Sequence, residues 1–160
     1  MREDEKVILA IRVRGIARVR PQIEDTLDKL LLGRVHQARI IKTTPSMQGM
    51  ITKAKDFITW GVPSEEVIEK LLTKRGRVPG NAHLTDAYVK KNSSHSSVKA
   101  LAKAIASGKA SVTDVEGLKP VFRLTPPTKG FRGTKYLPIG MGGITGDRGE
   151  GISELALRMI

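Results

Sequence analysis

With 160 residues the chain has material for one ordinary core, or a small core with a decorated extension, but not for two large domains. Lys and Arg number 28 against 16 Asp and Glu, a net charge of +12 that implies a polyanionic partner. Nucleic acid is favoured over a membrane, because no apolar run approaches the roughly 20 residues that span a bilayer, and aromatic residues at 4% leave few rings for stacking bases, so recognition should lean on phosphates and RNA shape.

The first sixty residues read as strand, helix, strand, helix, strand. Val7 to Val13 places Val7, Leu9, Ile11 and Val13 on one side and Ile8, Ala10, Arg12 and Arg14 on the other, which predicts a strand buried on one face and cationic toward one end of the second. Pro21 suits a first helical position, and Ile23, Leu27, Leu30 and Leu31 make an apolar stripe before Gly33, the expected stop. A second strand is expected from about Val35 to Thr43, its buried face left open by the mixture of Arg39 and Lys42 with Ala38, Ile40 and Ile41. Thr44-Pro45-Ser46 breaks that strand and offers Ser46 as an N-cap to a helix carrying Met47, Met50, Ile51 and Ala54. Phe57-Ile58-Thr59-Trp60 then reads as a short strand ending at Gly61.

A soft boundary falls near Gly61, giving a core over residues 1–61 and a helical, basic and glycine-rich extension over residues 62–160 that packs on the core and on RNA. Pro63-Ser64 opens a helix with Glu65, Glu66 and Glu69 early, Lys74 and Arg75 late, Val67, Ile68, Leu71 and Leu72 as its apolar face, and Gly76 as its stop. Lys70 to Lys109 holds nine basic residues and one acid, Asp86, and Arg75 to Asn81 is expected as a flexible cationic loop. Val98, Leu101, Ala102 and Ile105 form a packing stripe closed by Gly108, and Lys119 to Leu124 is extended before Pro126-Pro127. Thr128 to Gly151, rich in glycine, should be an irregular arm that orders on RNA. Ile152, Leu155, Ala156 and Met159 mark a docked helix at the tail.

No catalytic residues emerge. Val13 to Arg20 loosely resembles an acylphosphatase phosphate loop, but Gln37 is the only nearby amide that could position a water. The glycines from Gly140 to Gly151 match neither the dinucleotide nor the P-loop pattern. Cysteine is absent, and His36, His83 and His95 lack a ligand spacing, so neither a metal nor a cofactor is expected. No signal-peptide pattern is visible, and a cytoplasmic location is expected. The expected RNA contacts are Arg12, Arg14, Arg18 and Arg20 around the first strand and loop, with Arg34, Lys42, Lys53, Lys55, Arg75 and Arg77 enlarging the surface. The arm would add Lys129, Arg132 and Lys135.

Val7 to Gly61, and above all Thr44-Pro45-Ser46-Met47-Gln48-Gly49-Met50-Ile51, resembles the ribosomal protein L thirty family of the large subunit. The likeness continues through Phe57 to Pro63 and Lys74-Arg75-Gly76, as in the longer archaeal and eukaryotic members. Eukaryotic members carry a long basic extension before the first strand, which here begins a few residues after Met1, so the archaeal form is expected. The resemblance implies an α+β fold, a compact, truncated ferredoxin-like βαβαβ module with a mainly helical and irregular C-terminal extension. It implies a structural constituent binding 23S-type ribosomal RNA, neighbouring large-subunit proteins and, more loosely, 5S rRNA. It also places Gly49 and its helix near RNA. A free-standing RNA chaperone or regulator is the alternative, and an acylphosphatase-like hydrolase a more distant one.

Overall fold

The computed structural model describes residues 6–160. Six strands form one sheet in the order β4-β2-β1-β3-β6-β5. Strand β1 (Val7–Arg12) lies between β2 (Gln37–Lys42) and β3 (Ile58–Gly61), antiparallel to both. The extension supplies the other three: β4 (Val121–Arg123) beside β2, β6 (Gly143–Asp147) parallel to β3, and β5 (Thr134–Pro138) at the far edge.

Both faces of the sheet are covered at its centre, while the edge strand β5 is exposed throughout. Helices α1 (Pro21–Lys29) and α2 (Pro45–Lys53) cover one face, where Ile8 and Ala10 pack with Leu27, Leu30, Leu32, Ile51, Ala54 and Ile58. The other face carries Val7, Leu9, Ile11 and Ala38 against α3 (Glu65–Lys70), α4 (Asp86–Asn92), α5 (Val98–Ala106) and α6 (Ile152–Met159). Every residue of β1 is therefore buried, and the one-faced, cationic-edged strand expected from the alternation is corrected. The register also assigns the faces of β2: Ala38 opposite Ile11 belongs to the second cluster, Ile41 opposite Ile8 to the first.

Local chemistry sets the element ends. Helix α1 stops at Leu31, which takes φ 57°, with the Leu31 and Leu32 N–H groups returning to the Asp28 and Leu27 carbonyls at 2.9 and 2.8 Å. Gly33 is thus not the stop; the earlier reversal carries Leu32 into the core. Helix α2 is capped by Thr44, whose Oγ1 accepts from Met47 N–H at 3.3 Å. The cap lies two residues before the expected Ser46, because Pro45, without an N–H, occupies the first turn. Helix α3 continues as a π-helical turn, Leu71–Arg75, and ends at Gly76, where a Cβ would meet the Leu72 carbonyl oxygen. Asp86, the sole acid of its basic stretch, accepts from Val98 N–H at 2.7 Å and so satisfies the start of α5.

The glycine-rich segment is a second correction. Rather than an irregular arm, it contains β5 and β6, and β6 is hydrogen-bonded into the sheet. Its glycines serve approach within the chain: a Cβ on Gly143 would meet the Leu137 backbone. The cationic loop is likewise held, by an Arg77–His83 bridge and a Val78 N–H bond to Ala82 O at 3.1 Å. The helices expected around Val98 to Ile105 and at the tail form with their predicted apolar faces buried.

Candidate nucleic-acid interface

Arg12 does not belong to any exposed surface. It is 1% exposed, on the α1 face of β1, and its guanidinium donates to Leu32 O at 2.8 Å, Arg14 O at 2.8 Å and Gly15 O at 3.1 Å. Burial pushes its pKa down, with Asp28 and Glu24 pulling the other way. The sequence expectation that Arg12 grips phosphate is corrected: its side chain is buried and its three nitrogens donate to main-chain oxygens of the helix end and the loop.

Arg14, two residues on, sits where β1 leaves the sheet. Its guanidinium lies 4.6 Å from the Phe57 ring centre and 4.8 Å from that of Tyr136, and donates to Asp56 O at 3.2 Å. Arg14, Phe57 and Tyr136 join His36 and Lys135 in lining a cleft of about 410 Å³. His36 stacks on Phe131 at 6.0 Å and takes φ 64°. Burial, reinforced by the Lys135 charge, lowers its pKa, and its buried Nδ1 has no partner among the described residues. The structure thus brings Arg14 and Lys135, 121 residues apart in sequence, to one cleft. Arg18, Arg20 and Arg34 are exposed, and Arg20 precedes α1.

A second basic hollow, of about 170 Å³, lies at β4 and is lined by Arg75, Arg77, Lys119 and Arg123 with Asn81 and Val121. Four cations and no acidic side chain in the lining make the hollow strongly positive. Arg75 is partly engaged, donating to Ile160 O at 2.7 Å, and Arg77 reaches Asn81 O at 3.4 Å. The expected contacts did not include Lys119 and Arg123, although the two-residue period of the expected strand puts Lys119, Val121 and Arg123 on one side.

The remaining candidates are dispersed. Lys42 is half-buried, Lys53 and Lys55 are exposed at the end of α2, and Lys129 and Arg132 are exposed before β5. Gly49 is exposed on α2, and a Cβ there would meet nothing within 4 Å, so internal packing does not require a glycine at this position. Met47, Met50 and Trp60 are half-buried against the α1–α2 core.

The residues of the phosphate-loop analogy are committed elsewhere. Gln37 Oε1 accepts from Arg34 N–H at 2.9 Å, bracing the turn into β2. Among the described residues no group of three or more His, Cys, Asp or Glu side chains could hold a metal ion, and no helix is long and apolar enough to cross a membrane.

Fold and surface together define a basic α+β protein with most of its described cations exposed. Residues 8–58 match the family model described as Ribosomal protein L30p/L7e. The chain is 49% identical to the large ribosomal subunit protein uL30 of Methanosphaera stadtmanae, over 94% of this chain and 97% of the relative. It is 44% identical to those of Methanobrevibacter smithii, over 96% and 100%, and Thermofilum pendens, over 95% and 97%. The chain belongs to this family of ribosomal proteins, in its archaeal form.

Proposed function

We propose that this protein is a structural constituent of the large ribosomal subunit that binds 23S-type ribosomal RNA and stabilises its fold during assembly and translation. The observation that carries the reading is the state of its charge. With +12 overall, only two ion pairs form among the described residues, the exposed Lys29–Asp25 and Lys70–Glu66 pairs. No other basic side chain pairs with an Asp or Glu among the described residues, and neutralising RNA phosphates would release condensed counterions.

In this reading Arg14, Arg18, Arg20 and Arg34 form one contact region and the β4 hollow a second, with Lys42, Lys53, Lys55, Lys129, Arg132 and Lys135 adding charge. Residues 1–61 act as the RNA-binding core, and residues 62–160 brace it and add RNA contacts. Neighbouring large-subunit proteins, and more loosely 5S rRNA, complete the set of partners. The test is to fractionate a native lysate on a density gradient after a high-salt wash and locate the chain by mass spectrometry. Near-stoichiometric recovery in the large-subunit fraction is expected. Recovery only as free protein overturns the proposal in favour of an exchanging RNA chaperone.

A further inference from the structure

Of the two tyrosines, Tyr88 is half-buried and its hydroxyl donates to Glu116 O at 3.0 Å. Tyr136 is instead 75% exposed, on the edge strand β5, whose five residues are all exposed. We propose that Tyr136 is a stacking platform for one unpaired nucleobase of the RNA; the inference rests on the RNA-binding reading above and names a contact within it.

A single exposed ring is ordinary on a protein surface; the setting of this one is not. The Arg14 guanidinium lies over one face of the ring, 4.8 Å from its centre. With that face taken, so high an exposure requires the opposite face to be open to solvent. Arg14 is itself held, for its guanidinium also lies 4.6 Å over the ring of buried Phe57 and donates to Asp56 O at 3.2 Å. Through Arg14 the Tyr136 ring is tied to the α1–α2 core, to which Phe57 belongs. The ring is thus placed before a ligand arrives, and less ordering entropy is lost on binding.

The surroundings select a nucleotide over an apolar peptide. Lys135 and Tyr136 line the same cleft as Arg14, and no acidic side chain does. Lys129 and Arg132 are exposed just before β5. A nucleotide brings a phosphate on either side of its base, and these cations can receive them. A base inside a helix has its faces covered by its neighbours, so the ligand comes from a loop, a bulge or another unpaired segment. Stacking uses a π-face that every base offers, so base identity should matter little.

The experiment titrates the full chain, Tyr136→Leu and Tyr136→Phe with protein-free archaeal large-subunit RNA at several salt concentrations. The parent complex is also irradiated with ultraviolet light and digested for mass spectrometry, and a nucleotide adduct on Tyr136 is expected. Tyr136→Leu should bind about five- to hundred-fold more weakly at every salt concentration, with the slope of log affinity against log salt unchanged because no cation is lost. Tyr136→Phe keeps the ring and should stay within about two-fold of the parent. Adducts confined to other residues, or a Tyr136→Leu protein that matches the parent, overturn the stacking assignment and leave RNA binding intact; the ring then serves another partner, such as a neighbouring protein. If the parent does not bind this RNA, both readings fall.

Discussion

Arg12 Nη1 donates to Leu32 O at 2.8 Å, tying the end of β1 to the turn that closes α1. Its Nε and Nη2 hold the Arg14 and Gly15 carbonyls of the loop between those two elements. Arg12→Met keeps much of the bulk and removes every donor, leaving three main-chain oxygens to find new partners. Urea unfolding should show a loss of about 3 kcal/mol or more. A change within about 0.5 kcal/mol would show that these bonds are replaceable by water.

Lys119 and Arg123 present the opposite case. Both are exposed, and neither has an ion-pair partner among the described residues. Changing both to Gln should alter unfolding free energy by no more than about 0.5 kcal/mol each. Their effect should appear instead in RNA binding: the slope of log affinity against log salt should become shallower by about 0.9 for each phosphate that is no longer neutralised. An unchanged slope would remove the β4 hollow from the interface.

The contrast between these arginines shows what the sequence carried. The helical stripes of α5 and α6 were legible because residues three and four apart must share a face, whatever the rest of the chain does. Strand β1 was legible as a strand but not in its burial. Ile8 and Ala10 already hinted at a second apolar face, the pattern of strands covered on both sides, while Arg12 and Arg14 suggested a wet one. The resolution of Arg12 lies in main-chain oxygens brought together by a helix end and a loop, and no side-chain pattern encodes such acceptors. Strand β6 was missed because its pairing with β3 spans more than eighty residues and its glycines are compatible with a mobile arm. The run Thr44 to Ile51 pointed to α2, but Arg14 and Tyr136, whose guanidinium and ring are in contact, meet only in the fold.

His36 makes stability depend on pH. Burial and the nearby Lys135 hold its native pKa below the ordinary value of 6.5. Between these two values the unfolded chain binds more protons than the native one, so stability rises with pH through that window. The contribution of neutral His36 is complete above about pH 6.5 and is lost as pH falls toward the native pKa. The parent should therefore melt at a lower temperature at pH 5 than at pH 7.5. His36→Asn, which tolerates the positive φ, should show less of that dependence. Equal dependence in the two proteins would assign it to other groups.

Two glycines in the sheet and helix layers should respond oppositely to the same substitution. Gly61 is buried in β3, and an added Cβ would meet Gly149 O, the oxygen that accepts from Val62 N–H at 3.1 Å. The methyl would also approach Ile152 Cβ to 3.0 Å, so Gly61→Ala must push the β6–α6 connection away from β3. A loss of about 1–3 kcal/mol is expected, together with faster proteolysis within residues 143–160. Gly49, exposed inside α2 with open space around it, should gain about 0.5–1 kcal/mol on replacement by Ala, because the unfolded chain loses freedom and the helix loses nothing. Yet if RNA approaches this helix as closely as a glycine permits, Gly49→Ala should bind the RNA less tightly while being more stable. Melting and RNA titration of the same preparation separate the two effects. A Gly49→Ala protein that gains stability and keeps its full affinity would place α2 away from the RNA at this point.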